Sequence, residues 1–204
     1  MKLYHIHKFN DIKDDFKVGD ILETNDLNRL RKDQLNCSSS YLKEVVKNDK
    51  GTFNMYEPLD SLLEMEKLEK MSREEIVKTV DLLKEYIHNN GIYRRESVLE
   101  EVRRESFIEL PSRYKCMWLT DEECIESWLR LLGTKEGHYS INEMELDGNL
   151  FCSTDDLLPN YYEPIKNIYA DAYRYWGRTQ QNLDESDKRE YLFEGQAKVL
   201  RKLK

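Results

Sequence analysis

Ionisable side chains occupy alternate positions in the first and last strand-like segments of this chain. His5 and His7 share one face of the segment 3–9, and Glu190 and Glu194 share one face of a segment near the other end. A buried strand would place apolar residues there, so the pattern indicates either a functional site or a solvent-covered face. Carboxylates that stabilise positive charge and side chains that fix hydroxyl groups are the groups needed for sugar-transfer chemistry.

Each of these residues also has an ordinary structural interpretation. His5 and His7 suit half-buried strand histidines that bond to backbone groups. Glu190 and Glu194 suit the solvent face of an edge strand, an interpretation that is favoured for Glu194. Four strand residues separate Glu190 from Glu194 by about 13 Å. We therefore expect only one of the two glutamates in a site, and the sequence leaves open which one.

The composition predicts one domain of ordinary size, spanning residues 1–204. Charged residues make up 35% of the chain, yet 13 Tyr, 6 Phe and 3 Trp supply enough apolar surface for a core. The formal net charge of -8 argues against general affinity for a nucleic-acid backbone.

Cysteine spacing and the lack of a targeting segment predict a cytoplasmic protein. The four cysteines, Cys37, Cys116, Cys124 and Cys152, contain no C-x-x-C pair, which favours reduced thiols and disfavours a structural metal site. No signal peptide and no apolar run of membrane length is evident. We expect no metal and no membrane partner.

The order of elements predicts an α+β fold. Short strands come first, followed by a helical block at about residues 59–105, a strand at 114–119, a helix, further strands, a helix after Pro164 and a last strand. Asn89-Asn90-Gly91 is expected to end one helix of the block before a second begins. Asp147-Gly148-Asn149 is predicted to be a turn, after an irregularity near Glu143. A mixed or antiparallel sheet is therefore favoured over a doubly wound one.

Three short motifs resemble those of the histidine-type ADP-ribosyltransferase superfamily. Leu3-Tyr4-His5-Ile6-His7, followed by Phe9-Asn10-Asp11-Ile12 and Gly19, is similar to its first motif. Met117-Trp118-Leu119-Thr120-Asp121 resembles the second, an aromatic strand before a helix. Glu190-Tyr191-Leu192-Phe193 resembles the third, in which a glutamate opens a late strand. The whole chain also resembles an uncharacterised bacterial family of that superfamily.

The resemblance implies a split, two-sheet fold that holds NAD in a cleft, with a helical insertion at about 59–105. His5 would bond the adenosine-side ribose, and His7 would replace the usual hydroxyl residue near the nicotinamide amide. Trp118 or Trp128 would stack on the nicotinamide ring. Glu190 would hold the nicotinamide ribose and act as the catalytic residue. Thr120, which follows Trp118 in the second motif, is assigned to the cofactor site as well.

Two functions follow from these residues, and the sequence leaves open whether the protein is an enzyme or a purely structural domain with no small-molecule site. The first is transfer of ADP-ribose from NAD to an unknown acceptor, or hydrolysis of NAD. The second is a non-catalytic binding protein that retains the fold and holds a partner through its acidic surface or its helical block.

Several residues have competing structural roles. Trp118 and Trp128 are core aromatics by default, and Trp128 lies on the apolar stripe of its helix. Ser112-Arg113 is a weak candidate for a phosphate contact. Under the first function, the acceptor is expected to be a protein or a small molecule rather than a nucleic acid. Residues 24–58 receive no structural assignment, although acceptor recognition often falls to such segments in that superfamily.

Overall fold

The computed structural model describes residues 2–29, 31–32, 35, 46–48, 51–53 and 72–204. These fall into two compact units, of which one comprises Met1–Asn28 with Arg95–Lys204 and the other Arg29–Arg94. Some predicted features lie outside the described residues: Cys37, the loop 36–40 and the first part of the helical block, 59–71.

The described strands and α-helices range in length from three to 34 residues. The strands are β1 (Leu3–Lys8), β2 (Ile21–Glu23), β3 (Val46–Asn48), β4 (Gly51–Phe53), β5 (Met117–Leu119), β6 (Tyr139–Thr154) and β7 (Arg189–Lys202). The α-helices are α1 (Arg73–Ser106), α2 (Ile125–Leu131), α3 (Ile165–Trp176) and α4 (Gln180–Asp184). Short 3-10 turns cover Ile12–Asp14, Glu122–Cys124 and Asp155–Leu157.

A five-stranded antiparallel sheet forms the centre of the larger unit. Its order is β1-β6-β7-β2, and β5 pairs with the first half of β7 on the same edge as β2. β3 and β4 form a separate two-stranded hairpin in the smaller unit. The prediction of a mixed α and β protein with an antiparallel sheet is therefore confirmed.

Backbone pairing closes the sheet into a ring. Tyr4 and Thr120 exchange two hydrogen bonds, with N···O distances of 2.8 and 2.9 Å. This bridge links β1 to the residue that follows β5, while β6 and β7 complete the circuit on the other side. The three segments that carry the predicted motifs are consequently neighbours in the order β1, β5, β7.

Two facing glycines allow the long strands β6 and β7 to approach closely. Gly148 pairs with Gly195, and their φ angles are 155° and 149°. A Cβ on Gly148 would lie 2.4 Å from the Glu194 carbonyl oxygen, so only glycine permits this approach. The predicted turn at Asp147–Asn149 is wrong, because β6 continues through it. The predicted irregularity near Glu143 is confirmed as a register shift between Glu143 and Met144.

α1 is one continuous helix where the sequence predicted two. Asn89, Asn90 and Gly91 lie inside it, and Gly91 is absent from the glycines with positive φ. The Asn90 side chain donates to the Tyr86 carbonyl one turn back at 2.8 Å. The side-chain amide of Asn90 thus bonds to a backbone group of the helix, and the helix continues past the predicted end at Asn89-Asn90-Gly91.

The ring-shaped sheet has two differently covered faces. Leu3, Leu119, Tyr191, Phe193 and Val199 cluster on its inner face. The outer face packs against helices, and its buried core joins residues of α1, β6, α3 and β7: Val98, Leu99, Val102, Phe151, Ile168, Trp176 and Leu192. A smaller cluster joins Tyr4 and Ile141 to Ile125 of α2. The predicted alternation along β7, with Tyr191 and Phe193 on one side and Glu190 and Leu192 on the other, is confirmed.

Candidate functional site

His5 and His7 lie on the inner face, as their alternation with Leu3 requires. Their ring centroids are 6.0 Å apart, and the ring of Phe16 stacks on His7 at 3.9 Å. His5 Nδ1 lies 2.9 Å from the Trp118 carbonyl oxygen, which only accepts, so Nδ1 carries the proton. His7 Nε2 lies 3.0 Å from the Asp14 carbonyl oxygen. Both histidines therefore bond to backbone groups.

His5 is neutral at physiological pH. Burial lowers its pKa to about 4, an effect that the hydrogen bond to Trp118 opposes and the neighbouring His7 reinforces. A neutral ring with a protonated Nδ1 presents an acceptor at Nε2. The residue can accept a hydrogen bond from a hydroxyl group, but it cannot supply positive charge to a phosphate.

The backbone and the side chain of Trp118 make contacts on opposite faces of the sheet. Its carbonyl oxygen accepts a hydrogen bond from His5, which lies on the inner face, and its ring packs against the outer-face core. The Arg113 guanidinium carbon lies 5.9 Å from the ring centroid of Trp118. This ring is part of a cation–π contact within the protein.

Thr120 and Trp128 meet at one backbone carbonyl. The Thr120 hydroxyl donates to the Arg189 carbonyl oxygen at 3.3 Å, and Trp128 Nε1 donates to the same oxygen at 2.8 Å. These bonds hold the start of β7 directly before Glu190. The side chains of Thr120 and Trp128 therefore fix the backbone directly before Glu190.

Glu190 is buried in an ion-pair network on the outer face. Its side chain is at most a few per cent exposed, and Oε1 accepts from Arg113 Nη1 at 2.9 Å and from the Tyr175 hydroxyl at 2.5 Å. Arg113 also donates from Nε to Glu96 at 2.6 Å, and Arg95 donates to the same glutamate at 3.0 Å. The network joins α1, the segment before β5, α3 and β7.

Electrostatic interactions within this network keep Glu96 and Arg113 ionised. Burial alone would raise the pKa of Glu96, but Arg113 and Arg95 outweigh it and hold the pKa below its usual value. The pKa of Arg113 is raised well above its usual value because the neighbouring carboxylates outweigh its desolvation. Burial and the adjacent Glu190 raise the pKa of Tyr175, so its hydroxyl remains a donor.

The structure brings together some of the predicted site residues and separates others. Trp118 and Glu190 share the outer face through Arg113, and Thr120 with Trp128 adjoins the backbone of Glu190. His5 and His7 face the opposite side of the sheet. His5 and Glu190 are thus on neighbouring motif segments but point to different faces.

Glu194, the other glutamate considered from the sequence, lies on the outer face and is half-buried. Its Oε2 accepts from the backbone N–H of Ser112 at 2.9 Å. Its cross-strand neighbour is Asn149, beside the glycine pair. It is therefore more accessible than Glu190 and has no direct ion pair with Arg113 among the described contacts.

A cleft of about 680 Å³ opens where the three motif segments meet. Its lining includes the residue before β1, the turn after β5 and the start of β7: Lys2, Asp121, Glu122, Glu123, Cys152, Leu183, Asp184, Arg189 and Tyr191. The volume suits a small ligand. None of the six residues predicted for the NAD site lines it, although Thr120 and Glu190 adjoin lining residues in sequence.

An ion pair forms one wall of this cleft. Arg189 donates from Nε to Asp121 Oδ2 at 2.6 Å and from Nη2 to Glu123 at 2.6 Å, and the Tyr191 hydroxyl also donates to Asp121, at 3.2 Å. Burial would raise the pKa of Asp121, but Arg189 lowers it overall. The positive charge of Arg189 is therefore balanced by the carboxylates of Asp121 and Glu123. Lys2 is the other basic residue in a lining that contains four carboxylates.

Sequence reasoning missed the partners of Glu190. Arg113 was considered for a phosphate contact, yet its guanidinium is buried among Glu96, Tyr175 and Glu190. A signal was present in α1, where Glu96 and Arg103 share the helix face of the buried Leu99. Charged residues on a buried helix face require partners of opposite charge elsewhere in the fold.

Within the described residues, no three histidine, cysteine or acidic side chains come close enough to hold a metal ion. None of the helices described in the structure is both long and apolar enough to cross a membrane.

The fold and site define an α+β protein with a ring-closed antiparallel sheet and a buried arginine–carboxylate network. The chain belongs to the family described as "Protein of unknown function (DUF2441)", whose model matches residues 3–204. No curated protein matches the chain.

Proposed function

We propose that this protein is a non-catalytic binding protein that retains an ADP-ribosyltransferase-like fold. One observation carries the proposal: Glu190, the predicted catalytic glutamate, is 3% exposed and is held by Arg113 and Tyr175. A carboxylate that stabilises a sugar cation must reach the substrate. Glu190 instead stabilises the fold, on the face opposite His5.

The cleft beside Asp121, Arg189 and Tyr191 is the proposed binding surface. Four carboxylates line it, from Asp121, Glu122, Glu123 and Asp184, while its two basic groups are Lys2 and Arg189. This excess of negative charge favours a cationic group of a partner and disfavours the pyrophosphate of a dinucleotide. The proposed ligand is a lysine-rich segment of a partner protein.

Turnover is tested first by incubating the purified protein with NAD and measuring nicotinamide release by chromatography. We expect no release above a protein-free control, for the wild type and for Glu190→Gln alike. Release by the wild type that disappears in a folded Glu190→Gln variant would overturn the non-catalytic proposal. Glu194→Gln is the matched variant, because it removes the other glutamate charge on the same strand face.

Binding is tested by titrating the protein with a tetralysine peptide that is acetylated at its N-terminus and amidated at its C-terminus. The NMR chemical shifts of the backbone N–H groups of residues 121–123 report the binding. We expect saturable shifts that weaken with salt, and roughly a twofold to fivefold loss of affinity in Glu122→Gln. Glu126→Gln is the control, since this exposed glutamate on α2 does not line the cleft. Shifts confined to other surfaces, or equal binding of tetraglutamate, would contradict the proposal.

ADP-ribosyl transfer or NAD hydrolysis is the second candidate, and one specific observation favours it. The segments that resemble the three superfamily motifs adjoin one another in the order β1, β5, β7. This function requires Glu190 to leave Arg113 when NAD binds. Two results together would support this second function. Calorimetric titration should show saturable binding of NAD that His5→Ala weakens, and nicotinamide release should depend on Glu190.

A further inference from the structure

A second pocket lies on the outer face, beside the facing glycines Gly148 and Gly195. It has a volume of about 330 Å³ and is bounded by the end of α1, the segment 108–115, and the strands β6 and β7. Asn149 and Glu194, which pair across the strands, are among its lining residues. We call it the α1 pocket, and it shares no lining residue with the cleft at Asp121.

Part of the charge in the α1 pocket is already neutralised by the protein. Glu100 is 3% exposed and accepts from Arg103 at 2.8 Å and 3.1 Å, from Arg104 Nε at 3.2 Å and from the Ser112 hydroxyl at 3.0 Å. Arg103 also donates to the carbonyls of Ile108 and Leu110. Glu100, Arg103 and Ser112 are buried and are paired within the protein, so they are not counted as ligand-binding groups.

Two cationic groups at the rim keep donors available. Lys115 is exposed, and its ammonium has no hydrogen-bond or ion-pair partner among the residues that the structure describes. Arg104 uses only Nε toward Glu100, and its side chain is 67% exposed. Their remaining N–H groups suit the carboxylate of a ligand.

Two acidic groups of the same pocket keep acceptors available. Glu194 uses Oε2 for the Ser112 N–H, and no contact within the described part of the chain engages its Oε1. The Glu109 carboxylate likewise has no ion-pair partner in the described ranges. These oxygens suit an ammonium group, and the nearby C-terminal end of α1 adds negative potential.

We infer that the α1 pocket binds a small zwitterion carrying a carboxylate and an ammonium, the chemistry of a free amino acid. Lys115 and Arg104 supply donors, and Glu194 and Glu109 supply acceptors, to the lining of one pocket of about 330 Å³. A ligand with only one charge pairs with only half of these groups and leaves the other half to water, so a zwitterion makes more ion pairs in the pocket. The inference concerns a different pocket from the proposed function and does not depend on it.

The test is an NMR titration of the full chain with each L-amino acid in turn, then with derivatives of any that binds. We expect saturable shifts at the amides of Lys115 and Glu194 for at least one amino acid. Its N-acetyl derivative, which lacks the ammonium, and its amide, which lacks the carboxylate, should each bind at least about tenfold more weakly.

Variants identify the pocket as the source of binding. Lys115→Gln and Glu194→Gln should each weaken binding about tenfold, whereas Lys166→Gln, an exposed lysine of α3 outside the pocket, should not. Glutamine at 194 can still accept from Ser112, so the fold is expected to persist. No shift at these amides for any amino acid, or equal binding of the N-acetyl derivative, overturns the inference.

Discussion

Replacing Arg113 by methionine would leave two buried carboxylates without their shared partner. Arg113 lies 2.6 Å from Glu96 and 2.9 Å from Glu190, which are 1% and 3% exposed. Removing one member of a buried ion pair costs about 3–5 kcal/mol, since the remaining charge stays desolvated. Arg95 still bonds Glu96 and Tyr175 still bonds Glu190, so we expect a loss near the lower end, about 3 kcal/mol.

The loss in Arg113→Met should depend on pH. In the wild type the pKa of Glu96 is lowered from 4.5, so its contribution to stability is present above that value and fades as the pH falls through the lowered pKa. Without Arg113 the buried charge becomes costly, and protonation relieves that cost. The stability deficit of the variant should therefore be largest at neutral pH and shrink as the solution is acidified toward the ordinary glutamate pKa.

Urea unfolding followed by circular dichroism, at neutral pH and near the ordinary glutamate pKa, measures both effects. Arg174→Met is the matched control, because this arginine of α3 is 74% exposed and pairs only with Asp171. The double variant Glu96→Leu/Arg113→Met should regain part of the lost stability, since no unpaired charge remains at position 96. A deficit below about 1 kcal/mol at neutral pH, with an unchanged m-value, would refute this account of the network.

Three further predictions concern the glycine pair, the histidine pair and the thiols. Gly148→Ala should lower the free energy of unfolding by more than about 2 kcal/mol, because its Cβ would meet the Glu194 carbonyl at 2.4 Å and its φ is 155°. His5 has its pKa lowered to about 4, so wild-type stability should fall as pH drops from 6.5 toward that value, by up to about 3 kcal/mol, and His5→Gln should flatten this dependence. Burial raises the pKa of Cys116 and of Cys152, so iodoacetamide should modify half-buried Cys152 slowly and buried Cys116 only after unfolding, as mass spectrometry can show.

Matched variants make these outcomes decisive. Gly137→Ala tests backbone strain alone, since its φ is 81° and nothing lies within 4 Å of its added Cβ; a loss equal to that of Gly148→Ala would contradict the close-approach argument. His138→Gln changes an exposed histidine and should leave the pH dependence of stability unchanged. If this variant flattens the pH dependence and His5→Gln does not, His5 is not the group responsible for it. Rapid labelling of Cys116 in the folded protein would contradict its burial.

Local patterns predicted much of the fold because they depend on neighbours in sequence. The alternation in β7 set Tyr191 and Phe193 on one face, and the stripe after Pro164 matched the helix Ile165–Trp176. The stop at Gly91 and the turn at Gly148 were wrong for a common reason. Glycine is compatible with the end of a helix and with a turn. It is also compatible with the interior of a helix and with a close approach of two paired strands, and tertiary packing selects among these conformations.

The candidate site was less predictable, because its contacts join distant parts of the chain. The sequence placed His5, Trp118 and Glu190 on three strand segments, and the structure makes those segments neighbours. Which side each side chain faces follows from strand pairing and register, which a single segment does not contain. The roles assigned to these residues in NAD binding stay predictions.

The sequence by itself determined the class of fold, the faces of β1 and β7 and the positions of the chemically capable residues. Alternation and helical periodicity are properties of the covalent chain and its local dihedral angles, so they are readable without the fold. Only the tertiary structure decided that Glu190 meets Arg113 and Tyr175, which lie 77 and 15 positions away in the chain. The free energy of a buried carboxylate depends on which charges packing brings near it, and that information exists only once the helices and the sheet are assembled.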